Sequence, residues 1–453
     1  MTHIEEYVPE DFFEWLDFFH KCIGLLPPKN LSSKILYFLI ALPHISMCTF
    51  LLVFLGGADL LVRDRSFKET MFGISVVTLH GIIVLRTGFW IYSRNKFEKI
   101  KEIIRRETFT FECFDLREIG YANVISVGKN IENVLGKNLS YREIGMLWSG
   151  SGLVFDDCSV NLEIFRKRKM LRTRLGLCFS YLALIVFSFA TVTLLFISEL
   201  YVDSYQTYNP HLNKTSEFRK YLIPMYFPFD TSLDGYYQIA YFYSYYSHIG
   251  AVFIFLPIET TLTCSIIHLI RQTSVVKEAL SYVDKNMSND QDSNRIIKEF
   301  RIVKCINELQ EIYRAIEKLE DFCNIQLMVQ YGLATFLLCT ICYVIPLMDN
   351  MMEGIGNSIF VSLSLGQIFI FSYCCQTLSL ELQEVGISMY NLQWTDYPLK
   401  IQRSLRFSIR RSQKPTHITA GKTIIIDLLF FIQVIQKSYS FYTLITNTKN
   451  QAV

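Results

Sequence analysis

Few residues of this chain have the types and spacing that catalysis or metal binding requires. The pairs Cys339 with Cys342 and Cys374 with Cys375 have separations that could serve a metal ion. A structural zinc site needs four ligands, and no His or further Cys partner lies near these pairs in the sequence, so we interpret them as small packing residues. The sequence also has no Walker loop, no HExxH and no nucleophile elbow. We therefore predict that the protein is not an enzyme and uses neither a metal nor a cofactor.

The chemistry that remains lies in polar side chains within apolar stretches. Near the C-terminus, five polar residues recur at steps of three and four: Gln433, Gln436, Ser440, Thr443 and Asn447. This spacing places them on one face of a helix. Lipid satisfies neither hydrogen-bond donors nor acceptors, so the face must contact either water or another helix. The spacing alone leaves both interpretations open.

Ionisable residues within the apolar stretches are few. Arg86 and Glu259 are costly inside a bilayer and need partners or water, so we hypothesise that they form a pair. His80 is either a core histidine with its hydrogen bonds satisfied or a ligand contact. Both interpretations of His80 stay open from the sequence.

Composition indicates a membrane protein, because 51% of the 453 residues are hydrophobic and 15% are aromatic. The formal net charge of +2 gives no indication of nucleic-acid binding. Seven apolar segments are long enough to cross a bilayer: 33–56, 70–93, 175–198, 237–269, 325–348, 357–378 and 423–447. Residues 1–32 precede them as an amphipathic helix, with Phe12, Phe13 and Leu16 on one side and Pro27 at its end, which we expect to lie on the membrane surface.

Lys and Arg indicate the orientation of these segments. They concentrate in the loops after segments two, four and six, at 94–174, 271–318 and 400–422. Basic loops remain in the cytosol, so we predict a cytosolic N-terminus and an extracellular C-terminus. Asn213 then begins a glycosylation sequon in an exterior loop.

Two stretches have a pattern that requires a partner. Apolar residues form a stripe along one helical face: Phe300, Val303, Ile306, Leu309, Tyr313, Ile316 and Leu319. The stripe serves either a cytosolic bundle within the chain or association between subunits, and we favour the second. Tyrosines cluster at 236–246. They form either a membrane-interface belt or, with Ser244 and His248, the wall of an apolar pocket, and their density favours the pocket.

Several motifs resemble those of the insect odorant receptors. They are the segment 390–394, the run SLRFSIRRSQKPTHITAGK at 404–422, QKSYSFYTL at 436–444, and PFD at 228–230 followed by Tyr237 and Tyr241. The tail is similar to that of odorant-tuned subunits rather than that of the shared co-receptor. The resemblance is specific mainly in the last sixty residues.

This resemblance implies an all-α membrane protein of the insect olfactory receptor type, with seven transmembrane helices. It implies a ligand-gated, non-selective cation channel, in which this chain forms a heterotetramer with a co-receptor subunit around a pore lined by the last helix. The partners would be a small volatile hydrophobic ligand, permeating cations and membrane lipid, in the plasma membrane of sensory neuron dendrites. The segments would be 1–32 (cytosolic), 33–271 (helices one to four with the odorant pocket), 272–322 and 379–422 (cytosolic anchor regions), 323–378 (helices five and six), 423–447 (pore helix) and 448–453 (extracellular tail).

The resemblance also implies positions for ligand and ions. By depth and helical face, the ligand-binding residues would be Phe72, Ser75, Leu79, His80, Phe189, Thr193, Phe196, Tyr241, Ser244, Tyr245, His248, Phe360 and Ser364. The pore would be lined by Gln436, Ser440, Thr443, Leu444 and Asn447, with a constriction at the last three. A gustatory-type receptor channel is the nearest alternative. A G-protein-coupled receptor conflicts with the predicted orientation, and a transporter with the lack of internal repeats.

Overall fold

The computed structural model describes residues 14–25, 31–62, 67–105, 176, 180–194, 196–197, 205–209, 214–218, 225–231, 233–284, 291–348 and 351–451, and these are mostly helical. The helices of the first half are α1 (Glu14–Ile23), α2 (Leu31–Cys48), α3 (Phe50–Val62), α4 (Phe67–Arg105) and α5 (Ser180–Leu194). Those of the second half are α6 (Asp234–Ser281), α7 (Gln291–Val344), α8 (Met351–Tyr390), α9 (Leu399–Gln413) and α10 (Leu428–Gln451). Two antiparallel hairpins join β1 (Tyr205–Asn209) to β2 (Lys214–Phe218), and β3 (Thr419–Ala420) to β4 (Ile424–Ile425). The predicted glycosylation site Asn213 lies outside the described residues.

Five helical stretches within the described residues are long and apolar enough to cross a membrane: Ala41–Val62, Phe67–Glu102, Gly235–Ser281, Lys298–Leu347 and Gly354–Tyr390. They correspond to predicted segments one, two, four, five and six. Segment one is two helices that meet at Thr49 rather than one. The shorter apolar helix α5 occupies segment three, and the 24-residue α10 occupies segment seven.

Four of the helices are much longer than a bilayer requires. Helix α4 has 39 residues, α6 has 48, α7 has 54 and α8 has 40, whereas about 20 span the hydrocarbon core. Helix α7 is continuous from Gln291 to Val344, so the amphipathic stripe and predicted segment five lie on one helix.

The amphipathic stripe of α7 packs inside the chain. Ile306, Leu309, Ile316 and Leu319 are buried in one continuous apolar core. Helices α4, α6 and α9 all contact α7 and cover this face. The preference for subunit association was therefore wrong for the stripe as a whole, and only Val303 within it is notably exposed, at 41%. The period of a stripe predicts that a face is buried, but not which chain covers it.

Helix α1, which we predict to lie on the membrane surface, packs against the helix bundle. Leu16 is fully buried, and the Asp17 carboxylate accepts a 2.7 Å hydrogen bond from Lys101 Nζ of α4. His20 lies 3.4 Å from the Thr261 hydroxyl of α6, and burial lowers the pKa of this imidazole to about 4. The ion pair of Asp17 with Lys101 attaches α1 to α4. Phe12, Phe13 and Pro27 lie outside the described residues.

The last helix begins at Leu428, later than the predicted start at residue 423. Gly421 and Lys422 have φ of 61° and 60°, so the chain makes a left-handed turn between β3 and β4 instead of continuing as a helix. The Asp427 carboxylate then accepts a 2.8 Å hydrogen bond from the Phe430 amide and caps the start of α10.

The hairpin that precedes α10 is attached to α7. The Gly421 amide donates to the Asn324 carbonyl at 2.9 Å, and Lys422 Nζ lies 2.5 Å from Asp321 Oδ1 and 2.9 Å from Glu320 Oε2. Hydrogen bonds from these two carboxylates, first that of Asp321 and then that of Glu320, raise the pKa of Lys422. The start of the last helix is thus held at a defined point on α7.

We expect Lys422→Glu to weaken this attachment, because it places a third carboxylate beside Glu320 and Asp321. Surface expression, measured by labelling an extracellular tag, should fall severalfold. Adding Glu320→Lys should restore part of it, whereas Lys414→Glu, at an exposed position elsewhere in the same linker, should have little effect. Normal expression of Lys422→Glu without the compensating change would contradict the attachment.

Candidate functional site

An aromatic cluster joins α5 to α6. The ring of Phe196, just beyond α5, lies 5.7 Å from the ring of Tyr241 and 5.2 Å from that of Tyr245, both edge to face. The Tyr241 hydroxyl donates to the Phe196 carbonyl at 2.5 Å, and the hydroxyls of Tyr245 and Thr193 lie 3.1 Å apart. Because lipid offers no hydrogen bonds, these pairings satisfy polar groups that would otherwise be costly at this position.

Two histidines connect α4 to the same cluster. His80 Nε2 lies 3.3 Å from His248 Nδ1, and His80 Nδ1 lies 2.8 Å from the Val76 carbonyl oxygen. The His248 ring is also 6.4 Å from the Phe196 ring. His80 is therefore a buried histidine with partners on both nitrogens, and it lies directly beside the residues predicted to bind ligand.

The remaining predicted ligand residues are not part of this cluster. Ser75 and Ser244 are buried and donate to carbonyls of their own helices, those of Phe72 at 2.6 Å and Ala240 at 2.9 Å. Leu79 and Phe360 pack in a neighbouring apolar cluster formed by Ile82, Leu337 and Ile341. Phe189 lies 45% exposed beside a narrow crevice of about 10 Å³ between α5 and α6, and Ser364 is partly buried on α8. The structure thus brings six predicted residues together: His80, Thr193, Phe196, Tyr241, Tyr245 and His248.

Sequence reasoning missed an apolar groove between α5 and the start of α8. Its volume is about 660 Å³, and its lining includes Phe187, Ile345, Met348, Met351, Ile355 and Ile359. Met348 and Met351 were the available signal, because methionines often line adaptable apolar surfaces. Within the described residues, no group of three or more His, Cys, Asp or Glu side chains could hold a metal ion.

A buried ion pair lies deeper in the bundle. Arg86 of α4 donates to Glu259 of α6, which confirms the hypothesis from the sequence, and their side chains are only 2% and 8% exposed. Gln330 of α7 also lies near the carboxylate, with its Nε2 3.4 Å from Glu259 Oε2. The guanidinium carbon of Arg86 lies 5.1 Å from the centre of the Phe255 ring. Phe255 packs against two apolar clusters, one that includes Val192 and Phe196 and the other formed by Ile82, Leu337 and Ile341, so it lies between the ion pair and the region of the predicted ligand residues.

The same region of α7 contacts the last helix. Tyr331, which follows Gln330, has its ring 5.2 Å from that of Phe430 on α10. One face of α10 is buried against α7 through Phe430, Val434 and Ser438. Gln330, which contacts the ion pair, is therefore adjacent in α7 to Tyr331, whose ring packs against α10.

The polar face of α10 points away from the chain's own helices. Gln433, Gln436, Ser440 and Asn447 are exposed and Thr443 is partly exposed, and the Ser440 hydroxyl donates to the Gln436 carbonyl within the helix. Leu444 is 57% exposed. Of the two interpretations of the stripe, packing against another helix of this same chain is thus excluded for the described residues. What remains is contact with water or with another subunit.

A model of the 7tm odorant receptor family matches residues 157–439, more than half of the chain. The chain belongs to the 7tm odorant receptor family. The resemblance noted in the sequence is thereby confirmed, and the family is one of receptors rather than enzymes.

Individual odorant receptors match only in part. Odorant receptor 10 of Aedes albopictus is 19% identical over 226 residues, which cover 49% of this chain and 60% of that receptor. Odorant receptor 2a of Drosophila melanogaster is 26% identical over 152 residues, which cover 33% of this chain and 38% of that receptor. The matches therefore span well under two thirds of the length of these relatives.

The structural match extends further. The insect olfactory receptor OR5 from Machilis hrabei, solved in complex with eugenol, superposes with a TM-score of 0.67 at 11% identity, covering 97% of this chain and 100% of that one. A second structure of the same receptor gives a TM-score of 0.65 at 12% identity, covering 96% of this chain and 99% of that one. At this identity the likeness shows the fold, which is the all-α, seven-transmembrane type of the insect olfactory receptors.

Proposed function

We propose that this receptor is the odorant-binding subunit of a ligand-gated, non-selective cation channel. It would form a heterotetramer with a co-receptor around a central pore lined by α10, in the plasma membrane of sensory neuron dendrites. The observation that carries the proposal is the outward-facing polar side of α10. In a bilayer such a face requires water or a protein partner, and a shared pore supplies both.

The aromatic cluster of α4, α5 and α6 is the proposed ligand site, together with its neighbours Phe72, Ser75, Leu79, Phe189, Ser244, Phe360 and Ser364. Its walls are mostly apolar with a few polar groups, as expected of a site for a small volatile molecule. A ligand opens the channel only to the extent that it binds the open arrangement better than the closed one. A physical route leads from the region of this site to α10. It runs from Phe255 through Arg86 and Glu259 to Gln330, and then from the adjacent Tyr331 to Phe430.

Subunit association would use the anchor regions 272–322 and 379–422. Since the stripe of α7 is buried within the chain, other apolar residues must serve this contact. Four large side chains here are mostly exposed: Ile387 (61%) and Tyr390 (63%) at the end of α8, and Leu399 (65%) and Phe407 (72%) on α9. Exposed apolar side chains at this density support an interface with another subunit.

Recording from cells that express this chain with and without a co-receptor tests the channel. We expect odorant-evoked cation current only when both subunits are present. A second messenger response that persists without any co-receptor, and without channel current, would contradict the proposal.

We expect Tyr245→Ala to shift the odorant dose-response by about tenfold, because it removes an edge-to-face contact and a hydrogen bond worth about 1 kcal/mol each. Phe242→Ala is the matched control, since Phe242 is a neighbouring aromatic residue on α6 that is 67% exposed. Equal loss of surface expression in both variants would instead indicate a general packing role.

Orientation can be tested by tags at the two termini. Because the basic loops follow the even-numbered segments, a tag after Val453 should stain on intact cells, whereas a tag before Met1 should stain only after permeabilisation. The reverse pattern would contradict the cytosolic N-terminus, the extracellular C-terminus and the channel reading that depends on them.

A further inference from the structure

The position of one proton follows from the contacts of His80. Its Nδ1 lies 2.8 Å from the Val76 carbonyl oxygen, and a carbonyl oxygen can only accept a hydrogen bond. Nδ1 must therefore carry the hydrogen. In a neutral imidazole the other nitrogen, Nε2, is then an acceptor.

The tautomer of His80 determines that of His248. His80 Nε2 lies 3.3 Å from His248 Nδ1, so His248 must donate through Nδ1. Its own Nε2 is then unprotonated and presents a lone pair. His248 Nε2 has no hydrogen-bond partner among the described residues. It is also not one of the fully enclosed polar atoms that lack a partner in this part of the chain. The His248 side chain itself is only partly buried.

The neutral form of the pair is the one consistent with its surroundings. His80 is buried in a membrane helix, where a charged imidazolium would need a compensating carboxylate. The contacts of the two rings within the described residues are instead each other, the Val76 carbonyl and the Phe196 ring. The Tyr241 hydroxyl proton is already donated to the Phe196 carbonyl. His248 Nε2 is thus an uncommitted acceptor at the edge of the aromatic cluster.

We propose that His80 and His248 make this receptor selective for ligands that donate a hydrogen bond, such as alcohols and phenols, over the corresponding methyl ethers. His248 contacts the ligand's donor, and His80 is the positioning residue that holds His248 in the required tautomer. The inference rests on the proposed function of the aromatic cluster as the ligand site. It adds the chemical class of the ligand, which shape and apolar contact alone do not define.

Matched volatile pairs test the class directly. We would record full-length receptor with co-receptor and compare benzyl alcohol with benzyl methyl ether, cyclohexanol with methoxycyclohexane, and para-cresol with para-methylanisole. Each pair keeps the carbon skeleton and replaces the O–H donor by a methyl ether. The hydroxyl compound should be more potent by about tenfold, the upper end of the net effect of one hydrogen bond. Equal potencies in all three pairs would overturn the proposal.

Two variants separate the contact from its positioning. His248→Phe should reduce the hydroxyl-to-ether potency ratio to near one by weakening the response to hydroxyl compounds, while ethers keep theirs. His80→Phe removes the acceptor that holds the His248 proton on Nδ1, so His248 can instead present Nε2–H. This variant should lower or invert the ratio by strengthening the response to ethers, which a merely structural role of His80 would not produce.

His44→Phe is the matched control. His44 Nδ1 lies 2.5 Å from the Tyr246 hydroxyl, a contact separate from the His80–His248 pair. The hydroxyl-to-ether potency ratio of the His44→Phe variant should equal that of the wild type. An unchanged ratio in His248→Phe at normal surface expression would overturn the proposal while leaving the channel function intact. Absence of current for every ligand in the wild type, with both subunits at the surface, would overturn the proposed function itself and this inference with it.

Discussion

Glu259→Ala is expected to cost about 3–5 kcal/mol of stability, because it leaves the Arg86 guanidinium buried without its carboxylate. Two guanidinium nitrogens of Arg86, Nε and Nη2, already have no hydrogen-bond partner within the described residues. Removing the carboxylate would leave the whole group unpaired in a bilayer, where charge is costly. Surface expression and ligand-gated current should both be lost.

The double variant Arg86→Met with Glu259→Leu separates charge from shape. Replacing a buried ion pair by apolar side chains of similar volume is often neutral or stabilising, so this variant should regain much of the lost thermal stability. Stability can be measured as the midpoint of thermal aggregation in detergent. Glu311→Ala is the control, since Glu311 pairs with Arg314 at an exposed position worth about 0–1 kcal/mol. A Glu259→Ala variant as stable as this control would contradict the role of the pair.

The second large effect concerns the proposed gate. Leu444→Ser should produce current without odorant, because Leu444 lies exposed at the edge of the polar face, and four such side chains could close a pore by dewetting. A bias of about 1–3 kcal/mol against the closed state would raise the open fraction by about 5- to 150-fold. Basal current recorded with the same co-receptor measures this directly.

Asn447→Asp tests the same face through charge. A carboxylate in place of the amide should increase the preference for cations or the block by divalent cations, seen as a shift in reversal potential. Phe441→Leu is the control for both variants, because Phe441 is 52% exposed on another side of α10. If Phe441→Leu changed permeation while Leu444→Ser and Asn447→Asp behaved as wild type, the pore would lie on a different face.

The features that the sequence predicted well follow from the residue types and from their expected depth in the membrane. Long apolar runs indicated the membrane helices, and the cost of charge in a bilayer predicted the pairing of Arg86 with Glu259 although 173 positions separate them. The density of tyrosines, together with the resemblance, indicated the cluster of Tyr241 and Tyr245 with Phe196. Each of these predictions needs only the chemistry of the residue and its depth in the membrane.

Features that depend on how helices pack were not predictable in the same way. The stripe of α7 had the right period, but only the packing of α4, α6 and α9 decides that it is buried within one chain. The pairing of His80 with His248 requires the rotation of α4 relative to α6. The turn before α10 was hidden because Gly421 and Lys422 precede an apolar run that reads as continuous helix. A Gly-Lys pair is not among the strong turn signals.

The unbroken length of α7 means that a tilt moves its two ends by different distances. If the helix tilts about the contact of Gln330 with Glu259, its two arms extend 14 residues to Val344 and 39 residues to Gln291. At about 1.5 Å per residue the arms are about 21 Å and 58 Å long. A sideways displacement of about 1 Å at the Val344 end therefore becomes about 3 Å at the Gln291 end, provided that the helix stays straight. In the proposed channel, a tilt of α7 that is small at the Val344 end would thus be larger at the Gln291 end.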